Sequence, residues 1–139
     1  MLFRSLRNTS PENLVFLATG TGIAPVKAIL EQLKANPEQV ANKKVWVYWG
    51  GRHAKDIYWQ PELSLPAVFF VPVLSRPNDS WTGRTGYVQD VLEHDGIDLA
   101  DAAVYACGSE HMIHAAKEKL VTLGLPRKNF YSDAFVSSN

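Results

Sequence analysis

Short runs of consecutive apolar residues alternate along this chain with segments of helical periodicity. A run that is apolar at every position has no polar face to leave in water, so it predicts a strand covered on both sides. The runs occupy residues 14–18, 45–49, 68–74 and 102–106, and residues 129–132, with Phe130 and Tyr131 between polar neighbours, are a candidate fifth strand. Strands of this kind separated by helices predict an α/β fold with an open, parallel, doubly wound sheet of five strands. Pro72 in the third run favours an edge strand or a strand end, because proline cannot donate to a ladder.

Four segments between these runs carry a helical pattern. In the first, Pro25 suits the first helical position, and apolar residues then recur at helical spacing up to Leu33. Residues 54–63 have the length of a short helix, and residues 88–92 form a short apolar stripe. Residues 112–123 form the clearest amphipathic face, which Gly124 closes.

Charge and composition limit the classes of function. The 139 residues suit one domain, and 14 basic side chains balance 14 acidic ones. Neither sign forms a long run, so we expect no nucleic-acid partner and no membrane partner. The single cysteine excludes an internal disulfide, and no secretory signal pattern or membrane-length apolar run is present. These features predict a cytoplasmic protein.

Glycines follow the first two predicted strands, where ligands of doubly wound folds bind. Gly20, Thr21 and Gly22 lead into a predicted helix, whose free N–H groups attract phosphate. Pro25 stands where the dinucleotide fingerprint has a third glycine or an alanine, and the second strand ends in Gly51-Arg52 without the acid of that fingerprint. These residues are candidates for cofactor binding, although a tight strand-to-helix turn explains the first glycines equally well.

Arginines follow the second and third predicted strands. Ser75 and Arg76 end the third strand, and Arg52 and Arg84 lie near other strand ends, so the three guanidinium groups are expected to converge on the glycine turn and bind phosphate oxygens. The alternative for each arginine is a solvated loop residue. Trp81 has two interpretations, stacking on a base or shielding its loop.

The fourth strand ends in Cys107-Gly108-Ser109. A thiol at a helix N-terminus can be a nucleophile, but most free cysteines are buried and inert. A phosphatase-type loop needs an arginine where this chain has Ile113, so covalent catalysis is not favoured.

Three further residues carry weaker signals. The pair His111 and His114 lacks other ligands at metal-binding spacing, so we predict no metal site. Phe135 near the end of the sequence suits either a frayed tail or a cover for a flat aromatic ligand.

Taken together, the motifs "GTGIAP", "YWGGR", "LSRP" followed by "WTGRTGYV", "ACGS" and "FYSDAF" resemble the pyridine-nucleotide domain of the ferredoxin–NADP reductase family. Within that family the chain is most similar to the iron–sulfur flavoprotein reductases, a group that includes CDP-6-deoxy-glucoseen reductase and the reductases of bacterial oxygenases. The resemblance extends over nearly the whole chain.

The resemblance also implies roles for the candidate residues. Residues 20–22 would approach the diphosphate and the nicotinamide, and Ser75 and Arg76 would contact the adenosine ribose or its phosphate. Cys107 and Gly108 would lie beside the nicotinamide carbon that gives up hydride, with Ser109 next to them. Phe135 would lie against the flavin ring, so the predicted catalytic positions are Cys107 and Phe135.

By the same resemblance, residues 1–139 are the NADH- or NADPH-binding domain of a larger flavoprotein that reduces FAD. The implied partners are a FAD-binding barrel domain and a 2Fe–2S ferredoxin-like domain, and this sequence contains neither an Arg-x-Tyr-Ser motif nor the four cysteines of such a cluster. The isolated chain is therefore expected to bind nucleotide without turnover. Two alternatives stay open, a non-redox nucleotide-binding module and a Cys107-dependent hydrolase or transferase.

Overall fold

A computed structural model describes residues 11–61 and 68–134 of the chain. The strands are β1 (Asn13–Thr19), β2 (Lys44–Gly51), β3 (Val68–Leu74), β4 (Arg84–Thr85), β5 (Ala102–Gly108) and β6 (Phe130–Ala134). The α-helices are α1 (Ile23–Ala35), α2 (Val88–Asp95) and α3 (Glu110–Thr122). Short 3-10 turns cover Gly20–Gly22, Pro37–Val40, Ala54–Asp56, Leu99–Asp101 and Arg127–Asn129.

The strands form one parallel sheet in the order β4-β3-β2-β1-β5-β6. The chain builds outward from β1 to β4, then returns to the other side of β1 for β5 and β6. This arrangement confirms the doubly wound α/β fold and places the switch in strand order between β1 and β5. The predicted count of five strands was wrong, because β4 has only two residues, both polar, and no apolar run announces it.

Both faces of the sheet are covered, as the continuous apolar runs predicted. In β1 the five residues from Leu14 to Ala18 have no solvent exposure. Alternate strand residues join two separate apolar clusters, one packed with α1 and the other with α2 and α3. Because α1 lies on one face and α2 and α3 lie on the other, the loops at the carboxyl ends of the central strands stay open to a ligand.

Two details of the predicted helices were wrong. Residues 54–61 contain only the turn Ala54–Asp56 followed by irregular chain, and residues 62 and 63 lie outside the described residues. Helix α1 begins at Ile23, so Pro25 is its third residue and not its first. Pro25 is still tolerated there, because the N–H groups of a first helical turn have no intrahelical partner.

Pro72 lies in β3, one position before the two residues that pair with β4. Proline at this point of the ladder meets β2 on one side only, which agrees with the expected edge character. In the described ranges no helix combines the length and the apolar composition needed to cross a membrane.

Candidate functional site

A cavity of about 810 Å³ opens at the carboxyl ends of the strands, around the switch between β1 and β5. Ligand sites of small molecules occupy volumes of about 300–1,000 Å³, so the cavity has room for a nucleotide. Of the residues predicted to bind a cofactor, it is lined by Gly20, Thr21, Gly51, Arg52, Ser75 and Ser109. Gly22, Pro25, Arg76, Cys107 and Gly108 do not line it, and Phe135 lies outside the described residues.

The turn from β1 into α1 presents backbone N–H groups at the cavity. Thr19 is extended, and a 3-10 turn over residues 20–22 runs directly into α1. No side chain caps either start and no acidic residue stands in the first turn. The leading N–H groups of such a helix lack intrahelical partners and carry its positive dipole end, so this turn can accept an anion.

Each glycine of this turn has its own steric reason. Gly20 has φ +54°, a left-handed conformation that favours glycine, and it is exposed with open space around its Cα. Gly22 is buried, and a Cβ atom there would lie 2.1 Å from the carbonyl oxygen of Cys107. Trp49 Nε1 donates to the Gly20 carbonyl oxygen at 3.1 Å, which fixes the turn to β2. The turn is therefore rigid before any ligand binds.

The end of β2 is organised by one carboxylate. Asp56 Oδ2 accepts hydrogen bonds from the backbone N–H groups of His53 at 2.9 Å and Arg52 at 3.1 Å. These bonds lower the pKa of Asp56 and keep it charged near neutral pH. The exposed side chains of Arg52 and Lys55 line the cavity beside it. The Asp56 carboxylate is already bonded to backbone N–H groups, so the charges of Arg52 and Lys55 remain available to a phosphate in the cavity.

The segments after β2 and β3 continue side by side. Ser75 N donates to Gly51 O at 3.0 Å, and Arg76 N donates to Arg52 O at 2.9 Å. The imidazole Nδ1 of His53 lies 2.9 Å from Arg76 O. Ser75 faces the cavity, whereas the exposed Arg76 side chain lies beyond its lining.

Arg84 does not converge with the other two arginines. Its guanidinium Nη2 donates to Asp95 Oδ1 at 2.6 Å, and Asp95 Oδ2 accepts from the hydroxyl of Tyr48 at 2.7 Å. The expected three-arginine cluster was therefore wrong, because a partly buried carboxylate, that of Asp95, competes for one of its members. Trp81 belongs to the same loop, where its Nε1 donates to Arg84 O at 2.9 Å and its ring packs on Gly83. This contact favours the shielding interpretation of Trp81.

Cys107 lies in β5 without solvent exposure and joins the apolar cluster under α1. Burial, with a smaller contribution from Asp133, raises the pKa of its thiol to about 12. A thiol that stays protonated at neutral pH is a poor nucleophile, so the environment argues against the hydrolase and transferase alternative. Gly108 is also buried, and a Cβ atom there would lie 2.3 Å from Thr19 Oγ1. The backbones of β1 and β5 thus meet at the switch point.

Helix α3 begins where β5 ends. Ser109 caps it, since Ser109 Oγ accepts from Met112 N at 3.1 Å. His111 lines the cavity, whereas His114 lies near Glu118 on the exposed face of the same helix. Among the described residues no group of three potential metal ligands occurs.

Several cavity residues were missed by the sequence reasoning. Tyr58 and Tyr87 line the cavity and expose 69% and 64% of their surface, which is unusual for aromatic side chains. Gln89 also lines it, and its Oε1 is buried without a hydrogen-bond partner among the described residues. A buried acceptor that lacks a donor fits a ligand that brings one. Tyr87 belongs to the stretch "GRTGYV" that contributed to the family resemblance, but the resemblance assigned it no role.

The model of the oxidoreductase NAD-binding domain family matches residues 16–118 of the chain. The chain belongs to this family. The matched region contains the glycine turn, the cavity and the switch point described above.

Two curated relatives and one solved structure illustrate the kinship. The chain is 41% identical over 129 residues to CDP-6-deoxy-L-threo-D-glycero-4-hexulose-3-dehydrase reductase of Yersinia pestis, covering 90% of this chain and 38% of that protein. It is 33% identical over 136 residues to NAD(P)H-flavin reductase of Aliivibrio fischeri, covering 94% of this chain and 56% of that protein. The ferredoxin reductase in carbazole 1,9a-dioxygenase has the same fold, with a TM-score of 0.75 at 21% identity over 92% of this chain and 39% of that one.

The chain spans between 38% and 56% of the length of these two curated relatives. The family and the fold predicted from the motifs are confirmed. The motifs on which the resemblance was based lie at the ends of strands, and in the parallel sheet these ends lie along one edge.

Proposed function

We propose that this chain is the NAD(P)H-binding domain of a flavin-dependent reductase. It would hold the dinucleotide so that hydride passes from the nicotinamide to FAD, for onward transfer to an iron–sulfur centre or another acceptor. The observation that carries the proposal is the cavity at the β1/β5 switch, which is lined by an uncapped glycine turn and by two exposed aromatic side chains.

The cavity residues fit a dinucleotide in chemistry as well as in size. The N–H groups of residues 20–22 and the cations Arg52 and Lys55 suit a diphosphate. Tyr58 and Tyr87 offer aromatic surfaces for a base, and Gln89 Oε1 offers an acceptor for an amino or hydroxyl group.

The nicotinamide end is proposed to lie at the β1/β5 switch. Gly22 lets the turn contact the backbone of Cys107, so the two strand ends form one surface. In the proposal Cys107 and Gly108 shape the surface beside the nicotinamide, and the buried thiol positions without attacking. Phe135, proposed to cover the flavin ring, lies outside the described residues.

Catalysis by this domain would consist of binding and orientation. The chemistry supplied by the coenzymes is hydride transfer from nicotinamide to flavin. This chain's own residues hold the diphosphate and set the direction of the nicotinamide, which are the positional contributions that lower such a barrier. The proposed partners are a FAD-binding barrel domain and a 2Fe–2S ferredoxin-like domain, and the isolated chain is proposed to be inactive.

Calorimetric titration of the chain with NADH and NADPH tests binding. We expect saturable binding of at least one dinucleotide. Arg52→Ser should weaken this binding by about tenfold, because a charge-assisted hydrogen bond to phosphate contributes about that factor. Arg127→Ser is the matched control. Arg127 is exposed in the turn that leads into β6, far from Arg52 in the sequence. If the chain binds neither NADH nor NADPH, the proposal is overturned.

Mixing the chain with a FAD-loaded barrel domain of a relative tests the redox role. The oxidation of NAD(P)H is measured by absorbance in the presence of an electron acceptor. We expect oxidation only when both domains are present. Binding without oxidation would favour a non-redox nucleotide-binding module.

The same titrations decide the coenzyme. A preference for NADPH above about tenfold, equivalent to about 1.4 kcal/mol, would assign the 2′-phosphate to Arg76 or Arg52. A smaller preference would mean that neither reads that phosphate strongly.

A further inference from the structure

The carboxylate of Asp95 joins the two ends of a chain segment that lines part of the cavity. Arg84 and Asp95 stand eleven positions apart, and their side chains meet at 2.6 Å. The same carboxylate accepts the hydroxyl of Tyr48, which lies in β2 without solvent exposure. We call these three residues the Asp95 clamp. It ties β2, β4 and the last residue of α2 together at one point.

The closed loop contains four consecutive cavity residues, Gly86, Tyr87, Val88 and Gln89. We call residues 86–89 the wall segment. Local contacts hold it weakly, since no side chain caps the start of α2 and this helix has only eight residues. A helix of that length does not persist in water on its own. Its position therefore depends on tertiary contacts. The polar ones are the clamp, the hydrogen bond from Gly86 N to Leu74 O, and the ion pairs of Asp90 and Glu93 with Lys119.

The clamp is well shielded for a polar contact. The Asp95 side chain is 16% exposed and that of Arg84 37% exposed. Burial alone would raise the pKa of Asp95. The hydrogen bonds from Arg84 and Tyr48 outweigh burial, so the pKa of Asp95 is lowered. Asp95 stays ionised and both of its oxygens stay engaged at neutral pH. The segment between Arg84 and Asp95 is consequently fixed in the absence of any ligand.

We propose that Asp95 is a positioning residue for dinucleotide binding, acting through the clamp on the wall segment. The proposal rests on the proposed function. Gly86 N donates to Leu74 O, so the wall segment adjoins Ser75, which is proposed to contact the adenosine ribose. The clamp should therefore set affinity for the adenosine half of the ligand. The glycine turn is fixed separately, by the hydrogen bond from Trp49.

Amide hydrogen exchange of the ligand-free chain tests the clamp itself. Asp95→Asn keeps the shape and removes the charge. It should speed exchange by about tenfold at Gly86 of the wall segment and at Val91 just after it, whose N–H groups bond to Leu74 O and Tyr87 O, while exchange in β1 stays unchanged. The matched control is Asp90→Asn, because Asp90 lies on the same helix and pairs with Lys119 at the surface. Unchanged exchange in the wall segment of folded Asp95→Asn would overturn the proposal.

Calorimetric titration with NADH and with ADP-ribose tests positioning. Asp95→Asn should weaken both ligands by about tenfold, Tyr48→Phe should weaken both by a smaller factor, and Asp90→Asn should leave both within about twofold. Val91→Ala removes apolar contact under α2 and keeps the clamp, so it reports the effect of lost stability alone. Equal losses of affinity in Val91→Ala and Asp95→Asn at matched stability would reduce Asp95 to a structural role and overturn the proposal.

The two proposals fail differently. If the unmodified chain binds neither NADH nor ADP-ribose, the proposed function fails and the positioning proposal fails with it, even where exchange shows the clamp. If the unmodified chain binds and folded Asp95→Asn binds equally well, only the positioning proposal fails.

Discussion

Gly22 shows how a single residue serves the fold and the site together. The sequence suggested a glycine needed for ligand approach or for a tight turn, and the structure adds the backbone of β5 as a close neighbour. A Cβ atom at this position would overlap a carbonyl oxygen that belongs to a central strand and cannot move cheaply. The close contact between the glycine turn and β5 thus depends on this glycine.

Gly22→Ala should destabilise the chain far more than Gly20→Ala. The first inserts a Cβ atom 2.1 Å from Cys107 O, and overpacking of this kind costs about 3 kcal/mol. The second meets open space and costs about 1 kcal/mol for a left-handed alanine. Urea unfolding measures the free energy of unfolding of both variants. Equal losses in the two variants would mean that the contact between Gly22 and β5 relaxes easily.

Cys107 should be unreactive in the folded chain. A pKa raised to about 12 leaves almost no thiolate at neutral pH, and the side chain has no exposure. A thiol reagent at about pH 8 should modify it only after denaturant is added. Rapid labelling of the native chain would contradict the buried position.

The raised pKa of Cys107 also predicts a pH dependence. The unfolded thiol ionises near pH 8.5, whereas the folded thiol resists until about 12. Its stabilising contribution is therefore complete below about pH 8.5 and is lost as pH rises towards the folded value. Urea unfolding between neutral and alkaline pH should show this loss, and Cys107→Ala should remove that part of it.

At the scale of elements, helix α3 combines a structural cap with a cavity position. Ser109→Ala removes the acceptor for Met112 N and should cost about 1 kcal/mol of unfolding free energy. Ser132→Ala in β6 is the matched control, because Ser132 is exposed. Ser109→Asp keeps the cap and adds negative charge at the cavity, so it should preserve stability while weakening dinucleotide binding. Preserved binding in Ser109→Asp would place the diphosphate away from α3.

Elements with strong periodicity were predicted well, and elements without it were not. The apolar runs located five strands, and α1 and α3 follow the predicted amphipathic faces. The two-residue β4 exists because Val73 and Leu74 pair with it, and a pairing of that kind leaves no local signal. The helix predicted over residues 54–63 was wrong, since Asp56 bonds back to residues 52 and 53 and closes a single turn.

At the scale of the whole molecule, acid stability should depend on carboxylates that are held charged. Asp95 and Asp56 both have a lowered pKa in the folded chain. Their stabilising contribution is present above the unfolded value of about 3.9 and is lost as pH falls through the folded values. Unfolding at equilibrium from neutral to acid pH should show this loss. Asp95→Asn should flatten it, and an unchanged profile in this variant would contradict the contribution assigned to Asp95.

The sequence by itself determined the fold class, the family and six of the residues that line the cavity. The fold class and the glycine turn followed because strand burial, helical periodicity and turn residues are local consequences of side-chain chemistry, and the family followed from the resemblance of the strand-end motifs. Only the tertiary structure decided which strand-end residues share the cavity, that Arg84 pairs with Asp95 and that Tyr58, Tyr87 and Gln89 join the lining. These choices depend on contacts between residues distant in sequence, such as the partly buried Asp95 carboxylate that takes Arg84 and the parallel pairing that forms β4.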